Sequence, residues 1–186
     1  MKGKSQKHDV SAGTSPIKAY EDLQFLKSDV CRGVRLQLEF MKPDVFMDRY
    51  QVESTIVIFG SARTPSPEAA REQLEQARRQ QASAPDDAAA QAAVKRAERL
   101  LADSHYYQLA RDFAALVTRE CQSREGGCRK FVVITGGGGG IMEAGNRGAA
   151  DMEGISAALN ITLPFEQHPN PYITPELSFM LHYFSI

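Results

Sequence analysis

The sequence is poor in cysteine, and the little it has excludes more than it suggests. Cys31, Cys121 and Cys128 are odd in number and form no C-x-x-C pair, which argues against a disulfide framework and against a zinc site. His8, His105, His168 and His182 are scattered, without H-E-x-x-H or comparable ligand spacing, so no metal is expected. Neither G-x-S-x-G nor a cysteine with nucleophile-type flanks occurs. Net charge is lacking too: 22 Lys and Arg against 23 Asp and Glu leave −1, no electrostatic footprint for nucleic acid or an anionic membrane surface. Long hydrophobic runs are absent, and no apolar stretch follows the basic Met1-Lys-Gly-Lys-Ser-Gln-Lys-His8. A membrane span and a signal peptide are therefore not expected, and a cytoplasmic location is the default.

What stands out is Phe131-Val-Val-Ile-Thr135, then five consecutive glycines, Gly136 to Gly140, then Ile141-Met-Glu-Ala-Gly-Asn-Arg-Gly148. A β-branched run, a glycine turn, a small-residue helix pattern and a second apolar run at Ile155 to Ile161 spell a strand–helix–strand unit. Glycines there permit positive φ and let backbone N–H groups approach a ligand without Cβ atoms in the way. With the positive end of the helix dipole behind them, these amides form an anion site suited to phosphate. A flexible linker is disfavoured, because strand and helix signals flank the run directly. No register completes G-x-G-x-x-G, Asn160 stands where a ribose-binding acid belongs, and no Lys follows the glycines. NAD-type and P-loop sites are thereby disfavoured, no cofactor is expected, and a mononucleotide or sugar-phosphate cradle is left.

The chain's 186 residues suit one domain with a sizeable core. Residues 1–16 are polar and expected to be disordered; residues 17–186 form the expected domain, an α/β fold with a three-layer parallel sheet. Helical spacing runs from Tyr20 through Leu23, Leu26 and Val30, and after Gly33 through Val34, Leu38, Met41 and Val45, weakened at Pro43. These helices are expected to pack on the domain or a partner subunit. A strand is predicted at Ser54 to Phe59 and a helix from Pro67 to about Ala84. A long helical arm capped at Asp86 or Asp87 follows, its apolar stripe being Val94, Ala97, Leu101, Leu109, Phe113 and Leu116. Ser61 and Arg63, at the carboxyl end of the first strand, should face the same crevice as the glycines. Each is a candidate ligand contact, Arg63 for phosphate or base, although Ser61 also suits a turn cap. In the loop after Ile161, Glu166, His168 and Asn170 are in a position to touch a ligand, with solvation the favoured reading. Thr174-Pro175 reads as a helix start, and Leu181 to Ile186 as an apolar ending, strand-like or the beginning of a helix.

Three segments together, Ile58-Phe-Gly-Ser-Ala-Arg63, Thr135 to Gly148 and Leu159-Asn-Ile-Thr-Leu-Pro164, resemble the Lonely Guy (LOG) family and the related bacterial AMP nucleosidases. The resemblance runs from about Tyr20 to Ile186. It implies a Rossmann-like fold, a homodimer, and hydrolysis of the N-glycosidic bond of AMP or N6-substituted AMP, giving a free base and ribose 5-phosphate. It also implies a phosphate site at Gly136, Gly137, Gly138, Gly139 and Gly140 with Ile141 and Met142. The family's P-G-G-x-G-T-x-x-E motif and its arginine do not occur in these residues, and the resemblance places both beyond Ile186, so the domain is expected to be incomplete at its C-terminus. Of the acids present, Glu143 in the first turn of the phosphate helix is best placed to serve an oxocarbenium-like state. A helix-dipole role explains it equally. Asn146 is a candidate ribose or structural contact, and Arg147 reads as a surface pair. The alternative from a different class is a non-catalytic module that binds a nucleoside monophosphate.

Overall fold

A computed structural model describes residues 16–122, 129–161 and 168–182. The expectations for residues 1–15, for Glu166 and for the segment after His182 lie outside the described residues. Two compact units are present, one ending at Val45 and the other beginning at Phe46.

The first unit starts with α1 (Leu23–Lys27), whose N-cap Asp22 accepts the Phe25 N–H at 2.9 Å. A 3-10 turn (Asp29–Cys31) leads into α2 (Arg32–Arg49), which passes through both Gly33 and Pro43 instead of breaking there. Gly33 falls in the first turn, where an N–H lacks an intrahelical acceptor anyway, and Pro43 removes a single ladder bond. The apolar set Leu23, Val30, Val34, Leu38, Met41 and Val45 is exposed.

The second unit is built on a four-stranded parallel sheet in the order β1 (Thr55–Val57), β2 (Val132–Thr135), β3 (Ser156–Ile161), β4 (Ser178–Leu181). Register runs Val57 to Ile134, Ile134 to Ala157, and Leu159 to Phe179. Every residue of β2 is buried, as expected of a strand covered on both faces. One face meets α4 (Ala88–Cys121) and α5 (Ile141–Asp151), through Ile58, Val133, Ala114 and Ala149. The other carries Ile134, Ala157, Phe179 and Leu181 under Phe46, Met47 and Tyr50. Helix, sheet and helix make the three-layer Rossmann-like α/β fold expected from the strand–helix–strand unit.

α3 (Pro67–Ser83) begins at Ser66, whose hydroxyl accepts the Ala69 N–H, and α4 begins at Asp87, whose carboxylate accepts the Ala89 N–H at 2.8 Å. The two helices pair through Leu74, Ala77, Val94 and Ala97. The expected apolar stripe of α4 does not continue as core. Leu109, Phe113 and Leu116 are exposed, while Tyr107, Ala114 and Thr118 are buried. The reason is a change of neighbour: α4 turns one side to α3 along its first half and another to α5 along its second. The small residues of α5 serve this packing as well as the sheet, for a Cβ on Gly148 would stand 2.1 Å from the Arg111 carbonyl of α4.

β4 is an element the sequence does not announce. Thr174-Pro175 opens only a 3-10 turn (Pro175–Leu177), and the chain then extends along β3 from Ser178. Among the described residues, no helix is long and apolar enough to cross a membrane.

Candidate functional site: the glycine loop between β2 and α5

The loop leaves β2 at Thr135 and enters α5 at Ile141, at the carboxyl edge of the sheet, where open α/β folds present ligands. Two of its residues have backbone conformations that require glycine. Gly137 has φ +77° and an added Cβ would lie 1.9 Å from Asn160 Oδ1; Gly140 has φ +65° and its Cβ would lie 2.1 Å from the Ser61 carbonyl. The second contact reflects a tie between the two loops of the site. The Ile141 N–H donates to the Ser61 carbonyl at 3.0 Å.

Beneath the loop is a buried polar network. Thr135 Oγ1 accepts the Gly137 N–H at 3.0 Å and donates to Asn146 Oδ1 at 2.7 Å. Asn146 Nδ2 donates to Ser156 Oγ at 3.0 Å and to the Ala157 carbonyl at 3.3 Å. Asn170 closes the network: its Nδ2 reaches Asn146 Oδ1 at 2.9 Å and the carbonyls of Gly137 and Gly138 at 3.2 and 3.1 Å. Its own N–H also donates to the Gly137 carbonyl, at 2.9 Å.

This arrangement orients the amides. A trans peptide points its N–H opposite to its C=O, so carbonyls of Gly137 and Gly138 turned toward Asn170 direct the N–H groups of Gly138 and Gly139 away from it. Among the described residues, the N–H groups of Gly138, Gly139, Gly140 and Met142 have no acceptor. Unpaired N–H groups at a helix N-terminus are the elements of an anion site.

The other expected contacts divide. Ser61 uses its hydroxyl locally, accepting the Arg63 N–H at 3.1 Å, which is the turn-capping role. Arg63 is exposed, and its guanidinium has no partner among the described residues. Glu143 does not stand free beside the loop, since the Tyr107 hydroxyl donates to its Oε1 at 2.8 Å. Burial pushes that hydroxyl up to about 12; Arg147 pulls it back and the Glu143 carboxylate adds to the rise. Arg147 is not a surface pair either: its guanidinium lies 5.4 Å from the Tyr172 ring centroid, a cation–π distance.

Of the two roles expected for Asn146, ribose or structural contact, its side chain serves the structural one, being fully buried and bonded to Thr135, Ser156, Ala157 and Asn170. One expectation is corrected. Asn170 is not solvated, being buried beneath the glycines it holds; His168 is exposed. Tyr107 and Ser156 escaped the sequence reading, since an isolated Tyr or Ser inside an element gives no signal of what it faces. A cavity of about 350 Å³ lies at the opposite end of the sheet, lined by Arg119, Gln122, Arg129 and Gly154 among others and by no residue of the loop. Among the described residues, no cluster of three or more His, Cys, Asp or Glu is placed to hold a metal ion. No protein-family model matches the chain, and no curated protein matches it.

Proposed function

We propose that the glycine loop binds the 5′-phosphate of a nucleoside monophosphate and that the protein hydrolyses the N-glycosidic bond of AMP or N6-substituted AMP. The observation that supports this reading is the set of N–H groups of Gly138, Gly139, Gly140 and Met142, unpaired among the described residues, with those of Gly138 and Gly139 turned from the Asn170 staple. The phosphate would add negative charge at the positive end of α5, with Arg63 beside it. Water would add to C1′ of the ribose as the C1′–N bond breaks, and the base would leave with a proton, giving free base and ribose 5-phosphate. The resemblance to the LOG family in the segments around Gly60 and the glycine run supplies the reaction type. A cytoplasmic location goes with this reading.

A second reading, a binding module without catalysis, draws on Glu143. The acid nearest the loop in sequence is committed to Tyr107, and an oxocarbenium-like state needs a carboxylate in reach. One pair of measurements separates the two. An amide-resolved NMR titration with AMP is expected to shift Gly138, Gly139, Gly140 and Met142, and chromatography of the same mixture is expected to show adenine. Shifts without adenine favour the module; no shift on those amides defeats both readings.

A further inference from the structure

We infer that Asn160, at the carboxyl end of β3, reads a sugar hydroxyl of the bound nucleotide, so that the site takes ribonucleotides in preference to their deoxy counterparts. The inference rests on the nucleotide reading above and adds to it the residue that tells the two sugars apart. Side chains alternate along a strand, which puts Asn160 on the same side of β3 as Ser156, the partner of Asn146 on α5. It therefore stands on the side of the sheet from which the glycine loop enters α5.

The orientation of the Asn160 amide is fixed by β4. Its Nδ2 donates to the Phe179 carbonyl at 3.1 Å and to Ser178 Oγ at 3.3 Å. A carbonyl only accepts, so the nitrogen is the atom that faces Phe179 and the oxygen is the one left over. Oδ1 is directed to the glycine loop, into the space that Gly137 leaves by having no side chain: a Cβ there would stand 1.9 Å from Oδ1 and 2.9 Å from Nδ2. Among the described residues nothing donates to this oxygen. Asn160 is only 7% exposed, and a nearly enclosed acceptor calls for a donor. Thr118 Oγ1 is the one fully buried polar side-chain atom without a partner among the described residues, so Asn160 Oδ1 keeps an opening to the outside.

The chemistry of the group it meets follows. Phosphate oxygens accept hydrogen bonds and find no partner in Oδ1, while the amides of the loop suit them. The donor for Oδ1 is therefore another part of the same ligand. In a nucleoside 5′-monophosphate the donors closest to the phosphate are the 2′ and 3′ hydroxyls of the ribose. A carboxylate at this place would accept from both hydroxyls and would also repel the phosphate. The amide carries no charge, and with its nitrogen held by β4 it offers a single oxygen. One hydrogen bond to one hydroxyl of the diol is the contact this geometry provides.

NMR titrations of the 186-residue chain with AMP, 2′-deoxy-AMP, 3′-deoxy-AMP and inorganic phosphate test the assignment. AMP is expected to shift the amides of Gly138, Gly139, Gly140 and Met142 together with the side-chain amide of Asn160; inorganic phosphate is expected to shift the loop amides and leave the Asn160 side chain unmoved. One of the two deoxynucleotides should bind about tenfold more weakly than AMP. Asn160→Ala should bind AMP and that deoxynucleotide alike, a ratio taken within one protein and so unaffected by any change in its stability. Should the variant fail to fold, the affinity ratio and the side-chain signals of the parent still decide. Loop amides that ignore AMP would overturn the nucleotide reading and this inference together. Loop amides that respond to AMP while the Asn160 side chain does not, two deoxynucleotides that bind as tightly as AMP, or an Asn160→Ala protein as selective as the parent would each overturn this inference alone.

Discussion

Asn170 Nδ2 lies 2.9 Å from Asn146 Oδ1, so two buried amides from different parts of the chain meet beneath the glycine loop. Asn146 belongs to α5 and Asn170 to the segment approaching β4. Their contact fixes which way the loop carbonyls face, and through them which way its amides face.

Asn170→Ala removes the side-chain donor to the Gly137 and Gly138 carbonyls and leaves Asn146 Oδ1 with Thr135 alone. The Gly137 carbonyl keeps the N–H of residue 170, so the Gly138 carbonyl is the acceptor that loses its donor, and a buried acceptor without a partner costs about 1–3 kcal/mol. Urea denaturation should show a loss of that size. The AMP-induced amide shifts, that of Gly139 above all, should weaken beyond what the stability loss explains, because the Gly138 carbonyl and with it the Gly139 N–H is no longer held. Unchanged AMP binding in a folded Asn170→Ala protein would refute the orienting role.

Substitution of glycine by alanine should have opposite signs at two positions. At Gly140, a φ of +65° and a Cβ 2.1 Å from the Ser61 carbonyl make alanine strained and sterically blocked, a loss of about 1–3 kcal/mol. Gly33, in the first turn of α2, has nothing within 4 Å of an added Cβ. Alanine there is expected to stabilise by up to about 1 kcal/mol. Thermal unfolding of the two variants beside the parent gives the comparison.

Tyr107→Phe tests the pairing of α4 with Glu143. Removing a hydrogen bond to a carboxylate should cost about 1.5–3 kcal/mol near neutral pH. The hydroxyl is raised from 10.0 to about 12 by burial, with Glu143 adding to the rise. Between these values the unfolded chain has released this proton and the folded chain has kept it. Stability from this group is therefore fully present below about pH 10 and is lost as pH rises toward 12. Denaturation midpoints of parent and variant should converge over that window, and midpoints that stay parallel would contradict the pairing.

How far the sequence discloses the molecule depends on whether a residue's role is local. The β2–loop–α5 unit is legible because β-branched residues, glycines and small helix residues each act where they stand. Asp87 declares its helix for the same reason, its carboxylate capping an N–H two residues on. β4 is not legible, since Ser-Phe-Met-Leu is too short to set a period and Thr174-Pro175 imitates a helix start. The long helix shows the limit most plainly. Leu109, Phe113 and Leu116 continue an apolar pattern that Val94 and Ala97 begin, and periodicity does not say that the packing partner changes side. Asn146 and Asn170 were visible as residues but not as a staple, because a long-range polar contact leaves no pattern along the chain.

Arg63 offers the sharpest test of the phosphate reading, because its loss should alter binding and leave the fold alone. Its side chain is exposed, and among the described residues the guanidinium has no partner. The turn it occupies is held by its backbone N–H on Ser61 Oγ, which Arg63→Ala retains. Unfolding of the variant should match the parent within about 0.5 kcal/mol. A guanidinium next to a phosphate contributes a charge-assisted bond, so AMP affinity should fall by about tenfold, or roughly 1.4 kcal/mol. The loss should shrink as salt rises, since an exposed pair is screened. Adenosine, which has no phosphate, should bind parent and variant alike. If Arg63→Ala weakens adenosine as much as AMP, the side chain acts on the base, and the anion at the head of α5 is held by the backbone alone.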